Sequence, residues 1–299
     1  MKFAFLGSPR FAEIVLEELI VGGFRPSVVI CNPDRPVGRK KVVTPPPTKV
    51  LALKNEINFW QPEKFDILNF ESQVGKIEFA IVAAYAKIIP RSVLDFSKLG
   101  TIGVHPSLLP KYRGASPIQA AILGSEKETG VSLYLMDEKL DHGPILAQKR
   151  AFMGQNEDYL GLEEQLAKLA GKLLVEVLPR FLKGEIRSQI QDESLATFTK
   201  KFETRDAFVD YNDLLDAEAG DLEKARKINR MVRAFVQEPG AWTLRPVRQA
   251  HGWPTQDKQV PSKVRRIKLL ESEIVESGLK IKKIQVEGEK PKLVESSSS

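Results

Sequence analysis

The sequence is poor in the residues that build cross-links and metal clusters. Its 299 residues include one cysteine, Cys31, which excludes a disulfide framework and a cysteine-built zinc site. There are three histidines, so the position of each one carries weight. No apolar run approaches the roughly 20 residues that a membrane span needs, and no membrane association is expected. The amino end, Met-Lys-Phe-Ala-Phe-Leu-Gly, reads straight into a strand and lacks a leader-cleavage pattern, so a reduced, cytoplasmic setting is the expectation. The first glycine turn has no GxGxxG, which weakens any dinucleotide reading. No internal repeat is visible. Ser296 to Ser299 reads as a tail without fold information.

What is present is ordinary for a soluble globular protein, with 42% hydrophobic and 28% charged residues and a net charge of +6. That modest excess of base permits an anionic partner without requiring one. The length allows two domains. Lys2 to Leu6 is a short apolar run that ends in Gly7-Ser8-Pro9. Phe11, Ile14, Val15 and Leu19 then recur at helical spacing, and Ser27 to Cys31 is a second β-branched run. Strand, turn, helix, strand is a βαβ unit, which implies a parallel sheet. The helix start at this turn can hold an anion, and a plain turn is equally consistent with the residues.

Asn32 to Pro47, NPDRPVGRKKVVTPPP, is a different kind of segment. Arg35, Arg39, Lys40 and Lys41 sit between prolines, which forbid a helix. The segment reads either as a solvated, proline-stiffened loop or as a basic arm that grips phosphates. Phe79 to Ala84 is the next buried strand. A helix is expected over 118–123 and a long amphipathic one over 160–182. The polar, aperiodic stretch 189–202 is expected as a linker, dividing the chain into a domain over 1–188 and a smaller one over 203–299. In the latter, a basic helix is expected over 219–236 and short strands over 264–270 and 279–284.

Two stretches carry chemistry. Thr101 to Gly114, TIGVHPSLLPKYRG, delivers His105 at the end of an apolar approach, before a Pro-bracketed loop. Strand ends of this kind present side chains at the carboxyl edge of an α/β sheet. Met136 to Gly143, MDEKLDHG, follows the alternating Val131, Leu133 and Leu135 and delivers Asp141. A lone histidine is more often a strand cap bonded to backbone. A histidine with a carboxylate in reach is a candidate acid/base pair, because the carboxylate fixes the tautomer and favours the imidazolium.

The blocks HPSLLPKYRGASPIQ and ETGVSLYLMDEKLDHGPIL, with FLGSPRFA, CNPDRPVGRKK and VAAYAKIIP before them, resemble the folate-dependent formyltransferases, most closely the branch that acts on methionyl initiator tRNA. The resemblance is strong to about residue 150, resumes with TFTKKF and PGAW, and thins after about residue 245. It implies a Rossmann-like α/β parallel-sheet domain followed by a small OB-like β-barrel domain. It implies transfer of a formyl group from 10-formyltetrahydrofolate, a donor substrate, to the α-amino group of methionyl initiator tRNA, without a metal and in a monomer. Carried over residue by residue, His105 and Asp141 would be catalytic. Ala86, Ile88, Ser107, Leu108, Leu109 and Pro110 would line the folate site. Arg35, Arg39, Lys40 and Lys41 would meet the tRNA, with Arg39 matching the key arginine of that loop.

One position departs from the pattern. Two residues before the histidine the resemblance expects an asparagine, a donor to the formyl oxygen, and Gly103 stands there. Losing such a donor typically lowers rate by about 10²–10³, unless a backbone N–H, a water or a neighbour such as His142 replaces it. Gly103 therefore keeps a non-catalytic RNA-binding homologue in view. A sugar-nucleotide amine formyltransferase would share the same catalytic residues.

Overall fold

The computed structural model describes residues 1–38, 40–246 and 264–294. The chain folds into two compact units, 1–118 with 127–154 and 161–200, and 119–126 with 155–160 and 201–299.

The first unit is built on strands β1 (Phe3–Leu6), β2 (Val28–Ile30), a separate hairpin β3 (Arg35–Val37) and β4 (Val42–Thr44), then β5 (Asn58–Trp60), β6 (Phe79–Ala83), β7 (Thr101–His105), the short β8 (Arg113–Gly114), β9 (Glu128–Leu135), β10 (Ile145–Phe152) and the short β11 (Phe198–Thr199). Seven of these form one sheet in the order β10-β9-β7-β6-β1-β2-β5. The strands from β5 through β7 are parallel, as expected from the βαβ reading. The sheet is mixed, because β9 runs antiparallel to β7 and β10 antiparallel to β9. Strand order reverses between β2 and β6 on the two sides of β1, the kind of switch point where open α/β sheets place ligands.

Both faces of the central strands β1, β2 and β6 are covered, so these read as continuous apolar runs. Phe3, Phe5, Phe79 and Ile81 point to one face, where Phe3 and Phe79 stack at 5.0 Å and Phe181 meets Phe79 edge-on at 6.1 Å. Helices α1 (Arg10–Val21) and, later, the long one at Tyr159–Leu182 cover this side. Arg10 of α1 pairs with Glu163 of that long helix at 3.2 Å. Ala4, Leu6, Val28, Ile30, Ala80 and Val82 point to the other face, against Phe70 and Val74. These two belong to α3 (Ile67–Val74), which follows α2 (Pro47–Lys54) and precedes α4 (Arg91–Leu94) and α5 (Pro117–Leu123); the long helix is α6. Each fully buried Phe or Ile contributes about 1.5–3 kcal/mol relative to leaving it in water.

The expected linker is not a free connection. Residues 189–200 belong to the first unit. There β11 pairs in parallel with β8, and Gln191 is 5% exposed. A polar, aperiodic stretch reads as a linker because its partners lie far away in the sequence: Arg113 bonds Gln191 across a separation of 78 residues.

In the second unit, α7 (Tyr211–Glu218) and α8 (Leu222–Ala234) pack with strands β12 (Trp242–Pro246), β13 (Val264–Val275), β14 (Gly278–Val286) and β15 (Lys292–Leu293), which form one antiparallel sheet in that order. The basic helix expected over 219–236 is α8, Leu222–Ala234: Gly220 turns the chain at φ +113° and Asp221 caps the helix, its carboxylate accepting from the Glu223 and Lys224 N–H groups. The expected β domain is thus present as four strands among the described residues.

Candidate active site

His105 is the last residue of β7, and Gly103 lies two residues before it on the same face of the sheet. On the neighbouring strand β9, Tyr134 stands directly opposite Gly103 and Ser132 opposite His105. The loop after β9 folds back over this face and brings Asp141 to it. Asp141 has φ +47°, in the left-handed region that a short polar side chain tolerates. A conformation of this sort outside glycine is found where the surroundings over-determine it.

Those surroundings are explicit. The Asp141 Oδ2 accepts from the Gly114 N–H at 2.7 Å, and Oδ1 accepts from the Tyr134 hydroxyl at 2.7 Å. Its Oδ2 faces the His105 Nδ1 at 3.6 Å, with side-chain exposures of 14% for Asp141 and 7% for His105. The His105 Nε2 lies 2.8 Å from the Tyr112 carbonyl. A carbonyl only accepts, so Nε2 carries the proton and Nδ1 is the nitrogen turned to Asp141. The two residues read from the sequence as an acid/base pair are therefore within reach of each other, although they lie 36 positions apart in numbering.

A strap holds this loop system. The Arg113 side chain is 2% exposed and donates to Gln191 at 2.8 Å and Glu193 at 2.7 Å. The bond from Arg113 holds the Glu193 carboxyl below its usual range. Gln191 donates in turn to the Asp141 and Gly143 carbonyls at 2.9 and 2.8 Å. Gly114, at φ +114°, lets the Thr199 carbonyl approach so closely that a Cβ would meet it at 2.2 Å. His142 takes a separate place, its Nδ1 2.6 Å from Asp137 and its Nε2 3.5 Å from Glu193. It points to the strap, not to the Asp141–His105 pair, and does not supply what Gly103 lacks.

The space at Gly103 is filled. A Cβ there would lie 2.4 Å from Cε1 and Cζ of Tyr134 and 2.8 Å from its hydroxyl. Burial, and then the charge of Asp141, pushes the Tyr134 phenol well above its ordinary pKa, so it stays a donor. The sequence shows this residue only as one position in an alternating run. The usable signal was the complementary set, Gly130, Ser132 and Tyr134, small or polar residues facing away from buried Val131 and Leu133.

The residues assigned to the folate site divide into two groups. Ser107 is 0% and Leu109 3% exposed. The Ser107 hydroxyl donates to the Lys111 carbonyl at 2.6 Å, and its carbonyl accepts from Ser132. The Leu109 N–H donates to Ser132 and its carbonyl accepts from Gln148. These bonds shape the loop. Leu108 packs on Gly130, while Pro110 is half-buried and its carbonyl accepts from the Thr197 N–H. Ala86 and Ile88 are exposed, Ile88 at 92%. An exposed isoleucine with no core role fits an apolar ligand surface.

Arg35, Lys40 and Lys41 are exposed on and beside the β3–β4 hairpin, with no ion-pair partner among the described residues. Arg39 lies outside the described residues. Among the described residues no group of His, Cys, Asp and Glu could hold a metal, and no helix is long and apolar enough to cross a membrane.

Comparison with known proteins identifies relatives of this chain. The profile of the formyl transferase family matches residues 1–178. A methionyl-tRNA formyltransferase of Thermotoga maritima is 40% identical over 244 residues, 81% of this chain and 74% of that protein. One of Chloroflexus aurantiacus is 39% identical over 246 residues, 82% of this chain and 76% of that protein. Among solved structures, an N-formyltransferase of Helicobacter canadensis in complex with folinic acid and dTDP-3-aminofucose superposes with a TM-score of 0.59 at 17% identity, over 93% of this chain and 97% of that one, a likeness of fold. With a family match over residues 1–178 and relatives 39–40% identical over four fifths of its length, this chain belongs to the formyl transferase family.

Proposed function

We propose that this protein transfers a formyl group from 10-formyltetrahydrofolate to the α-amino group of methionyl initiator tRNA, as a cytoplasmic monomer. The relatives that share 39–40% identity carry that name. The observation that carries the reading is the approach of His105 to Asp141, 3.6 Å apart on one sheet face.

The reaction needs proton handling more than any other assistance. The amine lone pair attacks the formyl carbon and an electron pair moves onto the formyl oxygen. Collapse of the tetrahedral species breaks the carbon–nitrogen bond to the folate. The amine loses one proton, and the folate nitrogen gains one. Asp141 and His105 carry that proton between the two nitrogens. The His105 Nε2–H, held by the Tyr112 carbonyl, is the donor available to the developing oxyanion once substrate displaces that carbonyl. Folate lies along exposed Ala86 and Ile88, beside Leu108 and Pro110, with Ser107 and Leu109 shaping the loop beneath. The basic segment with Arg35, Arg39, Lys40 and Lys41 meets the phosphates of the tRNA. Its exposed Val37, Val42 and Val43 serve no core, which supports an interaction surface.

The test is a folate-dependent formylation assay offering charged initiator tRNA and, separately, amino-sugar nucleotides. Formylation of the tRNA alone is expected, and His105→Ala and Asp141→Asn should each lower turnover far more than they weaken folate binding. Formylation of the sugar only, or full activity in both variants, overturns the reading.

A further inference from the structure

Position 103 has no side chain, and the room this leaves is occupied from the next strand. The Tyr134 ring lies where a Cβ on Gly103 would be, within 2.4 Å, and its hydroxyl is 2.8 Å from that point. The residue is 3% exposed. A phenol in such a place must find a partner, and the one it has is the Asp141 carboxylate, at 2.7 Å. Asp141 has a backbone at φ +47° and one carboxylate oxygen turned to His105. Gly114 fixes that oxygen from one side, and the Tyr134 hydroxyl fixes the other oxygen. Two bonds to two oxygens set the plane of the carboxylate. With Gly114 alone, the group can rotate about its accepting oxygen and turn away from the imidazole.

We propose that Tyr134 is a positioning residue of this active site, whose hydroxyl, admitted by the missing side chain at Gly103, holds the Asp141 carboxylate in register with His105. The inference rests on the assignment of His105 and Asp141 as the proton-handling pair. Gly103 and Tyr134 act as one unit: a side chain at 103 and a tyrosine at 134 exclude each other.

Tyr134→Phe keeps the ring and removes the one hydroxyl. In the full-length protein, kcat for formyl transfer is expected to fall roughly 10- to 100-fold, as for other small misplacements of a reacting group, with KM for the folate and for the tRNA within about twofold. In an Asp141→Asn background, Tyr134→Phe should lower the residual rate no further, because the group it positions is gone. A wild-type kcat in Tyr134→Phe, or an independent loss in the Asp141→Asn background, overturns the inference. Should Tyr134→Phe fail to fold, Gly103→Ala, which displaces the ring and its hydroxyl together, is read the same way: lowered kcat at unchanged KM supports the proposal and unchanged kcat overturns it. If His105→Ala and Asp141→Asn are themselves fully active, the underlying assignment has failed. If they are inactive while Tyr134→Phe is fully active, only the positioning role has failed.

Discussion

Gly103 shows what a single residue can and cannot disclose in a sequence. Its departure from the expected asparagine was legible, and so was the need for something to take the place of the missing side chain. The replacement was not, because it comes from β9, 31 positions later in the numbering. The structure removes one attractive idea. An asparagine introduced at 103 would not restore a donor, since its Cβ would enter the Tyr134 ring at 2.4 Å. Ring atoms held in a packed interior do not yield cheaply, and overpacking of this kind costs about 1–3 kcal/mol. Gly103→Asn is therefore expected to lower stability in urea denaturation and to lower turnover as well. In a Tyr134→Ala background the same change should cost much less, because the ring it meets is gone. An additive double-mutant cycle would show that the two positions are independent. His105 and Asp141 were legible for a different reason: each ends a patterned run and opens a loop rich in Gly or Pro, which is how a fold exposes a polar side chain.

At the scale of elements, periodicity made β1, α1, β6, β7, β9 and α6 readable. Their apolar residues recur at the spacing of the element they form, and burial on the sheet rewards that spacing. The strap over 189–200 had no such pattern. Its order comes from Arg113, whose buried guanidinium takes Gln191 and Glu193 as partners. A buried cation without acceptors is costly, so the arginine organises the strap as much as the strap covers the arginine. Gln191→Ala removes bonds to Arg113 and to the Asp141 and Gly143 carbonyls. It is expected to cost on the order of 1–3 kcal/mol and to lower kcat, since the Asp141 loop loses its support. Equal kcat in the variant would mean that the loop holds its shape unaided. Glu193 adds a pH dependence. Its carboxyl lies lower in the folded chain than in the unfolded one, chiefly through its bond to Arg113. The folded state therefore binds the proton less readily, so this contribution is complete above the ordinary carboxylate range and is lost as pH falls through the lowered value. Thermal melts across the acid range should show a smaller loss of stability in Glu193→Gln than in the wild type. Parallel melting curves would exclude the contribution.

On the scale of the whole molecule, the net charge of +6 says less than where the unpaired charge sits. In the second unit, Lys224, Lys282 and Lys283 face Asp213, Glu273 and Glu271, and Arg265 faces Glu289. Such exposed pairs are worth little to stability, about 0–1 kcal/mol each, but they reduce the positive field that those side chains offer to a polyanion. Arg35, Lys40 and Lys41 have no such partners among the described residues and stand on an exposed hairpin. The sequence places basic residues in both regions and does not distinguish them; the pairing does. The triple change Arg35→Ala, Lys40→Ala, Lys41→Ala should therefore fold normally, since it removes no buried group. It should raise the Kd for initiator tRNA and leave the Kd for folate unaltered. For every phosphate no longer neutralised, the dependence of log affinity on log salt should flatten by roughly 0.7–0.9. Fluorescence titrations of tRNA at several salt concentrations measure both the affinity and the slope. A triple variant with lower affinity but an unchanged salt slope would mean that these side chains act by shaping the hairpin and not by neutralising phosphate. An unchanged affinity would move the tRNA-binding surface away from the hairpin altogether.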